Sequence, residues 1–103
     1  MYHISFYVPS LDAEKVKLAM FKAGAGEHEN YTQCSWQTKG KGQFMPIHDA
    51  KPVIGKVNEL EIVTEVKVEM MCHNDIIKNV VNSMKNSHPY ESVAYTVIKM
   101  EEI

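Results

Sequence analysis

Ile62-Val63-Thr64-Glu65-Val66-Lys67-Val68-Glu69-Met70 leans apolar at its even positions and charged at its odd ones, with Glu61 continuing the charged set. That two-residue period is the mark of a strand with one wet face. The residues after it give the strand its setting. Asn74 is a good N-cap, and Ile77, Val80, Val81 and Met84 then recur on one helical face. The helix must stop at Ser87-His88, because the residue before Pro89 is biased out of helical geometry. Ala94 to Met100 is a β-rich run that reads as a further strand, with the identity of its buried face left open.

The same grammar appears in the first part of the chain. Tyr2, Ile4, Phe6 and Val8 alternate with His3, Ser5 and Tyr7, and Pro9 removes the next backbone donor. Ser10 or Asp12 can cap a helix whose face is Val16, Ala19, Met20 and Ala23, while Glu14, Lys15 and Lys17 lie toward water; Gly24 is its stop. Tyr31 to Gln37 is expected to be the second strand. A long connection comes next, from Lys39-Gly40-Lys41-Gly42 through Phe44-Met45-Pro46-Ile47 to Lys51-Pro52-Val53-Ile54-Gly55.

Two strand-helix-strand halves with matching helix faces predict an α+β, ferredoxin-like βαββαβ sandwich: a four-stranded antiparallel sheet with two helices on one face. One such domain accounts for residues 1–103. The other sheet face then needs a cover, which a homo-oligomer would supply. Charged residues make up 23% of the chain and the net charge is -2, with no basic block, which argues against nucleic acid as a partner. No stretch is long and apolar enough to span a membrane, and the two cysteines have no close pairing partner, so a cytoplasmic chain with free thiols is the expectation.

Several motifs occur together and in one order: Gly24-Ala25-Gly26, Asn30-Tyr31, Cys34-Ser35-Trp36, Gly40-Lys41-Gly42-Gln43-Phe44, Pro52-Val53-Ile54-Gly55, Glu65-Val66-Lys67-Val68-Glu69, and His88-Pro89-Tyr90-Glu91 with Ala94-Tyr95. Over nearly the whole chain this series resembles the PII-like domain inserted in YqfO-type proteins of the Nif-three-like dimetal-binding family. That domain is related to PII signalling proteins and to CutA divalent-ion tolerance proteins, and Pro89-Tyr90-Glu91 also looks like CutA. Both relatives form trimers, so the resemblance implies a trimeric homo-oligomer. The dimetal halves that flank the insert have no counterpart in these 103 residues, so their hydrolase-like activity is not carried over. The expectation is a standalone accessory domain with a sensing, regulatory or interaction role.

Two candidate sites stand out. Cys34, His88 and Glu91 are ligand types suited to a transition metal, with a divalent ion as the candidate cofactor. Against this, a Pro-Tyr-Glu turn commonly serves structure, and no dense Cys/His spacing is present. Cys34 with His88 also reads as a nucleophile and base oriented by Glu91, although no hydrolytic motif surrounds the thiol. Gly40, Lys41, Gly42, Gln43 and Phe44, together with Tyr90, form the candidate small-ligand set, in the place where PII proteins carry their partner-binding loop. Glycine N–H groups beside a lysine could cradle a phosphate there, weighed against a plain glycine-rich loop. His28, His48 and His73 read as solvated, and Met20, Met70, Met84 and Met100 as packing.

The leading expectation is a noncatalytic oligomeric domain that senses a small ligand or metal ion in clefts near Cys34, Gly40 to Phe44 and His88 to Glu91. The alternative is an interaction module that docks in trans on a separate dimetal-binding protein partner.

Overall fold

The computed structural model describes residues 1–103. Its elements are β1 (Tyr2–Pro9), α1 (Ala13–Lys22), β2 (Trp36–Phe44), β3 (Glu61–Cys72), α2 (Ile77–Ser87) and β4 (Tyr95–Lys99), with single 3-10 turns at Ser10–Asp12 and Asn74–Ile76. The strands form one sheet in the order β2-β3-β1-β4, and every neighbouring pair is antiparallel. The expected ferredoxin-like α+β architecture is therefore present.

Register explains the core. Ile4 stands opposite Met70, Phe6 opposite Val68 and Val8 opposite Val66, so the even positions of β1 and β3 share one face. That face is fully covered by Val16 and Met20 of α1 and Val80 and Met84 of α2, all buried. The helix stripes read from the sequence are thus the ones that pack. On the opposite sheet face Tyr7, Trp36 and Ile98 remain exposed.

Several local expectations are corrected. The second strand is Trp36–Phe44 and not Tyr31–Gln37. Tyr31 instead pairs with His28 in a tight turn, in a segment where Glu29 and Gln33 take positive φ. Gly40-Lys41-Gly42 lies within the strand because β3 offers a ladder long enough to pair with all of β2, from Trp36↔Glu69 to Phe44↔Glu61. Neither helix has a side-chain cap: α2 begins at Ile77, and Asn74 Oδ1 accepts from the Met1 amino nitrogen at 2.7 Å. Gly24 does end α1, at φ 103°, which favours glycine.

Pro9 determines where the site can form. It is the last residue of β1 and faces Glu65, so β3 from Glu61 to Thr64 pairs only with β2 and overhangs the body as a two-stranded arm. Ile62, read as a core-face residue, is exposed for that reason.

Candidate functional site

Where β1 stops, the turn after α2 fills the gap. His88 leaves the helix with extended backbone, φ -78° and ψ 139°, as a residue before proline should. Its ring turns inward and is buried, edge-on to Phe6 at 6.2 Å. Nε2–H donates to the Tyr7 carbonyl at 2.7 Å, and Nδ1 accepts from the Tyr90 N–H at 3.1 Å. These two bonds require the neutral Nε2–H tautomer. Burial pushes the imidazole below its usual pKa, outweighing the hydrogen bond to Tyr7 and the nearby Glu65 and Asp12 carboxylates, which pull it up.

Tyr90 packs on His88, with ring centroids 4.8 Å apart, and faces Phe44 at 6.3 Å. Its hydroxyl donates to Glu65 Oε2 at 2.6 Å. Burial first, and the Glu65 carboxylate second, raise the phenol pKa well above its ordinary value, so Tyr90 stays a donor. The Glu65 carboxylate lies across β2 in the space that a side chain on Gly42 would fill. Glu91 then holds the 45–60 connection: both its carboxylate oxygens accept the Lys51 N–H, at 3.2 and 3.3 Å. Four consecutive residues, 88–91, thereby fasten β1, β3 and the long connection at one point.

Between that connection and the sheet lies a cavity of about 760 Å³. Its lining includes Gly40, Lys41, Gly42, Gln43, Phe44 and Tyr90, so the whole candidate small-ligand set converges there, joined by Glu91, Tyr7, Glu65, Pro52 and Ile54. Three contributors to this region were not singled out in the sequence: Tyr7, Glu65 and the Lys51 backbone that Glu91 holds. The glycine of β2 that Glu65 overlies was the one available signal, since a strand glycine often marks a close approach.

The proposed metal set does not assemble. Cys34 N–H binds Gly26 O, and Gly26 N–H binds Met71 O, which anchors the thiol at the far end of the sheet from His88. Tyr7, the partner of His88, stands opposite Lys67; Lys67 and Met71 are four residues apart on β3, about 13 Å. His88 has both nitrogens committed and Glu91 both oxygens. No three His, Cys, Asp or Glu side chains within the chain are grouped so as to hold a metal ion. The same separation removes the Cys34–His88 nucleophile and base. A phosphate cradle at Gly40-Lys41-Gly42-Gln43 is also corrected: the segment is paired strand, where successive N–H groups point in opposite directions and cannot converge on one anion.

No protein-family model matches the chain. It is 42% identical over 99 residues to a GTP cyclohydrolase 1 type 2 homolog of Bacillus subtilis, covering 96% of this chain and 26% of that relative. A Mycobacterium tuberculosis protein of the same description is 38% identical over 94 residues, covering 91% and 25%. The chain thus spans about a quarter of the length of these relatives. Among solved structures, a Bacillus cereus protein related to NIF3 superposes with TM-score 0.84 at 33% identity, over 98% of this chain and 26% of that one. A periplasmic divalent cation tolerance protein CutA from Archaeoglobus fulgidus superposes with TM-score 0.69 at 20% identity over 99% and 86%, a likeness of fold. The chain is a CutA-like domain of the YqfO type, homologous to one quarter of the NIF3-related proteins.

Proposed function

We propose that this domain is a noncatalytic, oligomeric binding module whose small organic ligand occupies the cavity under residues 45–60. The single observation that carries the reading is the convergence of Gly40 to Phe44, Tyr90 and Glu65 on one concave space of about 760 Å³. That volume is within the range of ordinary ligand pockets, and Phe44, Tyr90, Pro52 and Ile54 give it apolar walls beside charged residues of both signs. Oligomerisation is supported by the free outer edges of β2 and β4, the overhanging arm, and Trp36 and Ile98, which are exposed on the uncovered sheet face and do not line the cavity. A trimer is the favoured form.

A second reading is favoured by a different observation. Met45, Ile47, Val53, Val57 and Leu60 are all exposed within one connection, as suits a module that docks on a NIF3-related protein partner. Native mass spectrometry of the protein purified without chelator separates the two. The binding module predicts a trimer that retains an organic mass of a few hundred daltons. A monomer with no retained mass would overturn it and leave the docking module.

A further inference from the structure

Residues 45–60 are hydrogen-bonded to the rest of the protein at one point. The Asn58 N–H donates to the Pro46 carbonyl at 2.7 Å, so the ends of the segment are clasped and it closes on itself as a surface loop. Pro46, at that neck, is its only buried residue. Its further backbone bonds, Ala50 N–H to Ile47 O and Glu59 N–H to Lys56 O, are internal. The link to the body is the Lys51 N–H on the Glu91 carboxylate, at 3.2 and 3.3 Å, in an exposed place. So little burial and a single exposed link mark a unit that can open without the sheet.

What aims Glu91 is the ring that begins its turn. His88 Nδ1 accepts the Tyr90 N–H at 3.1 Å only while it carries a lone pair, and Nε2–H is committed to the Tyr7 carbonyl at 2.7 Å. A proton on Nδ1 turns that acceptor into a donor pointed at the Tyr90 N–H, and the bond cannot survive it. Tyr90 precedes Glu91, so the loss falls on the backbone that positions the carboxylate. Burial beside Phe6 is the strongest influence on the ring and opposes the proton. The Tyr7 carbonyl of β1, Glu65 of β3 and Asp12 of the turn before α1 favour it, whereas Lys15 of α1 opposes it. The Tyr90 ring, 4.8 Å away, completes the surroundings. All these contacts lie within one chain and do not depend on what covers the outer sheet face.

We propose that residues 88–91 are a proton-operated latch: neutral His88 holds Glu91 on the Lys51 N–H, and protonation of the imidazole releases the 45–60 connection while the sheet stays folded. In the released turn the ring meets water and takes a proton near its ordinary value of about 6.5. Each pH unit below that value therefore favours release by about tenfold, until the buried ring itself titrates. The apolar residues carried on the connection, Ile47, Val53 and Val57 among them, are held in one arrangement at neutral pH and freed in mild acid.

The test is a two-dimensional NMR titration of the full chain from pH 8 to pH 5 with EDTA present. His48, three residues from Lys51, is replaced in every sample (His48→Gln) so that it adds no titration of its own. The Tyr90, Glu91 and Lys51 amide signals are expected to move together with the His88 ring, with one midpoint below about 6.5, while amides at the centre of β1 and β3 hold still. His88→Gln, whose side chain offers one donor and one acceptor without titrating, should keep the Lys51 signal at its neutral position throughout. Glu91→Ala should place Lys51 at its acid position already at pH 8 and leave the His88 ring titrating. A Lys51 signal that ignores the His88 ring, a Lys51 titration that survives in His88→Gln, or collapse of the β1 and β3 amides at the same midpoint overturns the latch. If His88→Gln does not fold, the Glu91→Ala comparison decides.

Discussion

His88 shows how much one side chain can hold when both of its nitrogens are used. Losing its ring leaves the Tyr7 carbonyl and the Tyr90 N–H without partners in a buried place, so His88→Ala should destabilise the protein by about 3 kcal/mol in urea denaturation. Acid should act on the same residue. Burial lowers its folded pKa, so the unfolded chain takes up the proton first as pH falls. The contribution is complete above the unfolded value of about 6.5 and is lost as pH drops through that value toward the lower folded one. Stability measured from pH 8 to pH 5 should fall in that window, and His88→Ala should flatten the fall; a slope unchanged in the variant would exclude His88 as its source. The sequence offered the imidazole, phenol and carboxylate as a cluster, and the cluster is real. It did not reveal that their ring nitrogens and oxygens are spent on Tyr7, Tyr90, Glu65 and Lys51, because most of those partners are distant in the chain.

At the scale of elements, the strands and helices with a clean period were legible: the alternation in β1 and β3 and the stripe of Val80 and Met84 are direct records of one buried face. β2 was not, and the physical reason is that it has almost no burial to record. Nearly all of Trp36–Phe44 is exposed, so pairing with β3 decides its limits and two glycines within it look like a loop. Cys34 was misplaced with it: it lies in the irregular segment before β2, bonded to Gly26 at the other end of the sheet from His88. The glycines now make opposite predictions. Gly42→Ala displaces the Glu65 carboxylate and costs the charged bond from Tyr90, about 1.5–3 kcal/mol, offset by about 0.5–1 kcal/mol of backbone gain, for a net loss of roughly 1 kcal/mol. Gly40→Ala, whose new Cβ meets nothing within 4 Å, should be neutral or stabilising. Thermal denaturation of the pair checks this, and equal effects would mean that Glu65 does not lie over Gly42.

For the whole molecule, covering one sheet face with α1 and α2 leaves the other to serve function. Ending β1 at Pro9 opens a notch, the 88–91 turn closes its floor, and Glu91 draws the 45–60 connection over β2. The fold class was readable from the order and period of the elements. The cavity was not, since it is made by register and by a connection with no period of its own. Its occupancy can be seen directly in a crystal structure of the chain purified from cells without added ligand. Electron density for a small molecule in the cavity is the expected result. A cavity filled by the 45–60 connection itself, or by side chains of a second copy, would contradict a ligand-binding role.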